Sequence, residues 1–298
     1  MTEPVFGRLV AAMVTPFDGE LNVDYNRAQE LAQRLVTGGC DAIAVCATTG
    51  EAPTISTQDK MKLFDAVVSA VSGQAKVIAY AGGNCTATSI EFAQEAAKHG
   101  LDGFLTVVPY YNKPPQSGVY AHYQAIANAV PDMPIMMYNI PGRTGINMTA
   151  ETTLALASDI ENIVAVKEAS SKKEQIAAIA KNAPSGFCLY SGNDDETLEI
   201  MGFGGVGVVS TIANVAPARF RECIDLYLAG DVAAAQTKLD ALKPLMSELF
   251  VTANPIMAKE ALDILGFSVG GLRLPLLKAT PEQRASMEEV LRQVGDVH

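Results

Sequence analysis

One lysine at the end of an apolar run is the residue best suited to covalent chemistry. Residues 163–166 read Ile-Val-Ala-Val and precede Lys167, which is the pattern of a buried strand. A buried amine is costly to keep charged, so its pKa should fall and leave a nucleophile that attacks a ketone to form a Schiff base. The alternative is a strand-end lysine whose ammonium reaches water along its aliphatic stem.

Two adjacent threonines follow the second apolar run of the chain. The segment reads Ala47-Thr48-Thr49-Gly50-Glu51. Its hydroxyls, its backbone N–H groups and its glycine are suited to hold a small carboxylate close to the main chain. The alternative is a turn in which the threonine side chains cap the next helix.

Phenols and a guanidinium follow two later apolar runs. Tyr110 and Tyr111 lie in a loop between prolines, although such a pair is also typical of packing or of an interface. Tyr138 can pass a proton through its phenol, and Arg143 on the Pro/Gly-shaped loop behind it can hold a carboxylate with two parallel hydrogen bonds. A core tyrosine and a surface arginine are the alternatives for these two residues.

The elements that must position these residues alternate between short apolar runs and amphipathic stretches. The predicted strands cover residues 9–14, 42–45, 76–80, 103–107, 134–138, 163–167, 187–191 and 206–209. Helices are predicted between them, at residues 24–37, 57–71, 89–99, 118–129, 172–182 and 217–229. Eight alternations predict an α/β fold, a (β/α)8 TIM barrel, whose active site lies at the carboxyl ends of the strands. The lysine, phenols, hydroxyls and guanidinium would then surround one barrel mouth.

The last strands and the tail complete this architecture. After the seventh strand, Gly192 would let a ligand approach the backbone, and Asp194 and Asp195 are expected to cap the following helix. A doubly wound open sheet is the alternative fold, but no G-x-G-x-x-G follows the first strand. Beyond residue 230 the pattern is helical, at 231–250, 255–265 and 281–294. We therefore expect a barrel over residues 1–230 and a helical extension packed on it over residues 231–298.

Composition excludes several classes of protein. A net charge of -11 and a pI near 4.8 argue against nucleic acid as a partner. Five scattered cysteines and three histidines without ligand spacing argue against a disulfide framework, a zinc site or another metal centre. The amino terminus lacks the pattern of a signal peptide, and residues 200–218 contain too many glycines for a membrane span. A cytoplasmic enzyme that binds neither membrane nor nucleic acid is expected.

With these motifs the chain resembles the dihydrodipicolinate synthase family of pyruvate-dependent class I aldolases. The resemblance extends over residues 7–277. The motifs that carry it are Thr48-Thr49-Gly50-Glu51, Pro109-Tyr110-Tyr111-Asn112, the run from Tyr138 to Gly145, Val166-Lys167-Glu168-Ala169, Asn254-Pro255-Ile256 and Arg273-Leu274-Pro275-Leu276.

The resemblance implies a lyase-type synthase of diaminopimelate and lysine biosynthesis. Lys167 would form a Schiff base with pyruvate, and the resulting enamine would attack the aldehyde of L-aspartate 4-semialdehyde to give 4-hydroxy-tetrahydrodipicolinate. Tyr138, Thr48 and Tyr111 would form a proton relay, with Tyr111 supplied by a neighbouring subunit. The implied assembly is a homotetramer built as a dimer of dimers, with Tyr110 near the tight interface.

The resemblance also implies substrate contacts at four further positions. Thr49 would join Thr48 on the pyruvate carboxylate, and Arg143 would take the carboxylate of the semialdehyde. The backbone at Gly192 and Val209 would line the lysine pocket. No metal or organic cofactor is implied, because the protonated imine is itself the electron sink.

Three positions depart from members of the family that are inhibited by lysine. Thr57, Lys60 and Thr88 stand where such members often carry histidine and a glutamate, although Asn84 and Tyr110 remain. A cationic Lys60 and the absence of a carboxylate at position 88 should weaken the binding of lysine. We therefore predict weak or absent inhibition by lysine.

Two other functions are consistent with part of the pattern. A related lyase would act on sialic acid or a keto-deoxy sugar acid, but Arg143 suits a carboxylate better than sugar hydroxyls. A degenerate barrel that only senses a keto acid should have lost the lysine or a relay residue, and this chain keeps them all.

Ala47, where the family usually has glycine, adds a methyl group without removing a reacting group.

Overall fold

Eight strands form a closed barrel. A computed structural model describes residues 4–295, in which the strands are hydrogen-bonded in sequence order from β1 to β8 and the order closes. The strands are β1 (Leu9–Ala12), β2 (Ala42–Val45), β3 (Lys76–Tyr80), β4 (Gly103–Val107), β5 (Ile135–Asn139), β6 (Ile163–Glu168), β7 (Cys188–Ser191) and β8 (Gly207–Ser210). The predicted (β/α)8 barrel is confirmed, and the closed order excludes a doubly wound open sheet.

Helices connect the strands and continue after the last one. They are α1 (Tyr25–Thr37), α2 (Thr57–Val71), α3 (Thr86–Ala96), α4 (Gln116–Ala129), α5 (Pro141–Thr144), α6 (Ala150–Asp159), α7 (Lys173–Asn182), α8 (Thr197–Phe203), α9 (Pro217–Leu228), α10 (Val232–Glu248), α11 (Ile256–Ile264) and α12 (Pro281–Val294). Short 3₁₀ helices lie at Ala52–Thr54, Asp194–Glu196 and Ile212–Asn214. None of the helices that the structure describes has both the length and the apolar composition needed to cross a membrane.

Most predicted bounds agree with the structure, and the exceptions have local causes. Strands β2, β3 and β4 have the predicted bounds, and the others differ by one or two residues. The prediction of a helix at 89–99 is wrong at both ends, because α3 begins three residues earlier behind Cys85, which is not a favoured cap. Helices α5, α6 and α8 were not predicted. Helices α5 and α8 are only 4 and 7 residues long, and α6 contains two threonines in its first turn.

Residue contacts divide the chain into two units, which are described one at a time. The first comprises residues 4–8 and 76–209 and holds β3 to β7 with most of β8. Its neighbouring strands are parallel, and the register pairs Tyr138 of β5 with Lys167 of β6. Paired residues of adjacent strands point to the same face of a sheet, so the phenol and the amine share one face.

The second unit comprises residues 9–75 and 210–295. Its two strands, β1 and β2, are parallel, and α1 packs against α2. Helix α1 forms behind Asp24, whose carboxylate accepts from the backbone N–H of Arg27 at 2.9 Å, and it buries Ala28, Leu31 and Leu35 at helical spacing. Helix α10 packs against α9 and α12. The division of the chain at residue 230 stays a prediction.

Candidate active site

Lys167 is enclosed within β6 of the first unit. Only 6% of the residue is exposed, and burial lowers the pKa of its amine from 10.5 to about 8. Two charges modify this effect, since Asp194 raises the pKa and Arg143 lowers it. The alternative of a strand-end lysine that reaches water is therefore excluded, and a useful fraction of the amine is neutral near pH 7 to 8.

The phenol of Tyr138 lies directly beside this amine. The Lys167 Nζ atom is 4.3 Å from the centroid of the Tyr138 ring, and only 4% of Tyr138 is exposed. The ring face stabilises the amine when it is protonated, and the same contact keeps water away from it. The predicted nucleophile and the predicted proton-transfer residue are thus brought together.

A further phenol in this unit, that of Tyr80, was not anticipated from the sequence. Tyr80 is the last residue of β3, and the register pairs it with Leu105 of β4, on the face that Tyr138 also occupies. Its pKa is raised, chiefly by burial and further by the charges of Tyr110 and Tyr138. Its position at a strand end was the only signal that could have identified it.

A buried carboxylate holds the ends of β5 and β6 together. Glu168 is fully buried, and its two carboxylate oxygens accept hydrogen bonds from the side-chain amide of Asn139 at 3.0 and 3.1 Å. It also accepts from the backbone N–H of Ser170 at 2.8 Å and from the amide of Gln175 at 3.0 Å. Burial raises the pKa of Glu168, while these hydrogen bonds lower it. Because Asn139 and Glu168 follow Tyr138 and Lys167 in the chain, this pair fixes the backbone next to the phenol and the amine.

Asp194 does not have the capping role that was predicted for it. The helix α8 has Glu196 at its cap with no side-chain hydrogen bond there, so the prediction of Asp194 and Asp195 as caps is wrong. Asp194 is instead 5% exposed and close enough to Lys167 for its charge to raise the pKa of that amine. Its carboxylate offers the protonated amine a counter-charge.

Arg143 lies on the short helix α5 behind β5. That helix begins with Pro141 and ends at Gly145, whose φ of 72° permits the sharp exit. The residue is exposed, yet its charge still lowers the pKa of Lys167. The Arg143 guanidinium can therefore be reached by a ligand from solvent, and its charge acts on the Lys167 amine.

Tyr111 points into solvent in the single chain. Its side chain is 87% exposed, and its backbone has a φ of 71°, which a bulky residue rarely adopts. The loop is held by a 3.3 Å bond from the Tyr111 backbone N–H to the carbonyl of Thr144. The adjacent Tyr110 is 39% exposed.

The threonine loop belongs to the second unit and is tightly folded. Thr49 is 3% exposed, and Thr48 is half-buried. The Glu51 N–H donates to the Thr48 carbonyl at 3.1 Å, and a Cβ on Gly50 would lie 3.0 Å from the Cα of Cys46. The 3₁₀ helix that follows is capped by Glu51 without a side-chain hydrogen bond, so neither threonine acts as its cap. The alternative role of the threonines as helix caps is therefore excluded for this 3₁₀ helix.

Residues from the carboxyl-terminal part of the chain support this loop. The Lys259 Nζ atom lies 2.6 Å from Glu51 Oε1 and donates to the carbonyl of Gly271 at 2.8 Å. The side chains of Lys259 and Glu51 are only 3% and 1% exposed. The amide of Asn254 donates to the Thr49 hydroxyl at 2.9 Å. Asn254 lies 205 residues from Thr49 in the chain, so no local pattern of the sequence predicts this contact.

Gly192 and Val209 are fixed by packing in the first unit. A Cβ on Gly192 would lie 2.5 Å from the Cβ of Ala169, and the Gly192 N–H donates to the Glu168 carbonyl at 2.7 Å. Close packing of β6 and β7 therefore requires the glycine whether or not a ligand approaches it. Val209 lies in β8 with 1% of the residue exposed.

The positions that bear on lysine inhibition occupy both units. In the second unit, Thr57 is exposed at the start of α2, and burial lowers the pKa of Lys60. In the first unit, the Thr88 hydroxyl donates to the Cys85 carbonyl at 3.2 Å, and the Asn84 carbonyl accepts from Asn112 at 2.8 Å.

Comparisons with known proteins agree with one another over nearly the whole chain. The model of the dihydrodipicolinate synthetase family matches residues 5–294. The 4-hydroxy-tetrahydrodipicolinate synthase of Microcystis aeruginosa is 50% identical over 97% of this chain and 97% of its own. That of Symbiobacterium thermophilum is 48% identical over 98% of this chain and 99% of its own. A crystal structure of DHDPS from Cyanidioschyzon merolae with lysine bound superposes with a TM-score of 0.97 at 46% identity, covering 99% of this chain and 100% of that one.

Proposed function

This chain belongs to the dihydrodipicolinate synthetase family, and we propose that it acts through a Schiff base on Lys167. Its reaction is the condensation of pyruvate with L-aspartate 4-semialdehyde to give 4-hydroxy-tetrahydrodipicolinate, a step of diaminopimelate and lysine biosynthesis. The observation that carries the proposal is a buried lysine whose pKa is lowered to about 8 and whose Nζ lies 4.3 Å from a tyrosine ring.

The Lys167 amine starts the reaction in its neutral form. It attacks the keto carbon of pyruvate, and water leaves to give a protonated imine. Loss of a methyl proton gives an enamine, which attacks the aldehyde carbon of the semialdehyde. The amino group of the semialdehyde then attacks the imine carbon, closes the ring and releases Lys167 as a free amine.

Tyr138, Thr48 and Tyr111 carry protons during these steps in the proposal. Tyr138 exchanges protons at the imine, which its contact with the Lys167 amine supports. Thr48 links Tyr138 to Tyr111. The 87% exposure of Tyr111 supports its insertion into the site of a neighbouring subunit. The homotetramer built as a dimer of dimers is proposed from the resemblance to the family.

Carboxylate recognition is divided between a loop and a guanidinium. Thr48 and Thr49 hold the pyruvate carboxylate with hydroxyl and backbone N–H groups. Arg143 takes the carboxylate of the semialdehyde, which its solvent access and its effect on the Lys167 pKa support. The main chain at Gly192 and Val209 lines the space around the amine.

The setting of the enzyme follows from its chemistry. The protonated imine accepts the electron pair, so the reaction runs without a metal or an organic cofactor. All five cysteines are unpaired, and four of them are buried, which supports a reducing cytoplasm. The positive charge of Lys60 and the hydroxyl of Thr88 support a weak response to lysine.

A trapping experiment tests the proposal. Borohydride added with pyruvate should reduce the imine and leave a covalent adduct on Lys167, located by peptide mass spectrometry. Lys259 is the matched internal control, because burial lowers its pKa to about 8 as well. An adduct on Lys259 would contradict the proposal, because a low pKa alone would then determine which lysine reacts. The absence of any adduct would also contradict it, because no imine would have formed.

A further inference from the structure

The hydroxyl of Thr49 receives a hydrogen bond from a distant side chain. The Asn254 Nδ2 atom donates to Thr49 Oγ1 at 2.9 Å, and the two residues are 7% and 3% exposed. A hydroxyl has one proton and two lone pairs. Since Asn254 occupies a lone pair, the proton of Thr49 points elsewhere, and the structure records no acceptor for it among residues 4–295.

The same amide has a second atom that limits what could replace it. Asn254 Oδ1 is buried and has no hydrogen-bond partner in the described part of the chain. The amide thus contributes a donor to Thr49, while its oxygen accepts from no group among residues 4–295. An aspartate of the same shape would offer only acceptors, and it would draw the Thr49 proton toward itself.

Asn254 belongs to a segment that holds the threonine loop at a second point. Lys259 pairs with Glu51 at 2.6 Å, and the backbone N–H of Arg273 donates to the other oxygen of Glu51 at 3.1 Å. The Arg273 side chain donates to the carbonyls of Thr54 and Leu21 at 2.7 and 2.8 Å. The threonine loop is therefore tied to the carboxyl-terminal part of the chain at Thr49 and again at Glu51.

We propose that Asn254 is a positioning residue for pyruvate, which orients the Thr49 hydroxyl so that it donates its proton to the pyruvate carboxylate. This inference rests on the proposed binding of pyruvate by Thr48 and Thr49. Asn254 acts through Thr49 and touches no reacting atom. The contacts of Lys259 and Arg273 with Glu51 hold the loop in the position from which the Thr49 hydroxyl donates to the carboxylate.

Two substitutions at one position separate this role from simple packing. Asn254→Asp keeps the shape of the side chain but reverses the hydrogen bond and adds a negative charge near the substrate carboxylate. Its pyruvate KM should rise by roughly tenfold or more, with kcat changed by less than about threefold. Asn254→Ala removes the donor but leaves the Thr49 proton free to rotate, so its pyruvate KM should rise less. A packing role would reverse this order, because alanine leaves a cavity and aspartate does not.

The experiment measures steady-state kinetics, borohydride trapping at increasing pyruvate, and thermal unfolding. Asn162→Ala is the matched control, since its amide donates to three backbone carbonyls in the other unit, and this variant should lose stability with an unchanged pyruvate KM. Two results overturn this inference and leave the proposed function intact. In the first, the wild type is trapped and Asn254→Asp reaches half-saturation at the same pyruvate concentration. In the second, the pyruvate KM rises more in Asn254→Ala than in Asn254→Asp. Absence of a wild-type adduct on Lys167 overturns the proposed function, and this inference with it.

Discussion

Replacement of Lys167 by methionine should stabilise the folded protein while it abolishes activity. Burial lowers the pKa of this lysine from 10.5 to about 8, so the protonated form is held in the fold at a free-energy cost. The difference of 2.5 units (10.5 − 8) corresponds to about 3 kcal/mol at roughly 1.36 kcal/mol per unit. Methionine is similar in length and has no charge, so this cost disappears along with the nucleophile.

The gain should depend on pH with a defined sign. The folded-state pKa lies below the unfolded one, so between about pH 8 and pH 10.5 the unfolded chain binds more protons at this site. Wild-type stability therefore rises with pH through that window. The advantage of Lys167→Met is complete below pH 8 and shrinks to roughly 1 kcal/mol at pH 10.

Urea unfolding of the wild type and the variant at about pH 7 and pH 10, at one protein concentration, measures both effects. Lys259→Met is the contrasting control, because its amine is equally shifted, to a pKa of about 8, but pairs with Glu51 at 2.6 Å. Its removal leaves a buried carboxylate and should destabilise the fold by about 3–5 kcal/mol. The reasoning is refuted if Lys167→Met is less stable than the wild type at pH 7, or if its advantage is the same at both pH values.

Three further outcomes are expected. The rate of trapping with pyruvate should rise with pH to half its maximum near pH 8, because burial lowers the pKa of Lys167 to about 8, and a flat profile would contradict nucleophilic attack by this amine. Tyr111→Phe and Lys167→Met should each be nearly inactive. If Tyr111 of one subunit completes the site of its neighbour, mixing the two variants should restore roughly a quarter of the activity. No restoration would show that Tyr111 acts in the site of its own subunit. Lysine at about 1 mM should inhibit by less than half, because Lys60 repels its ammonium groups, and a synthase assay showing half-inhibition below that concentration would refute this.

Strand β6 could be predicted from sequence because its signals are local. Its apolar run is continuous and is followed by Lys167 and Glu168, so its extent was predicted to within one residue. Glycines behind two helices are a local signal of the same kind. Gly39 and Gly230 directly follow the C-cap residues of α1 and α9 and have φ values of 92° and 89°, a region that favours glycine.

The rest of the site depends on contacts that no local pattern reveals. Asp194 has the sequence context of a helix cap, and only the fold shows that it is a buried charge near Lys167. Asn254 lies 205 residues from Thr49, its hydrogen-bond partner. Helix α6 starts with a Thr149 cap and two further threonines, whose low helix propensity hid it until tertiary packing was known.

The faces of β5 and β6 explain how the fold tolerates a destabilising lysine. Successive residues of a strand point to opposite faces, so Tyr138 and Lys167 share one face while Asn139 and Glu168 share the other. The Asn139 amide donates hydrogen bonds of 3.0 and 3.1 Å to the Glu168 carboxylate, which also accepts one from the Gln175 amide. A satisfied buried network holds the backbone on one face, so the other face can carry a poorly solvated amine without losing its geometry. The chemistry and its support are thus separated by a single residue along each strand.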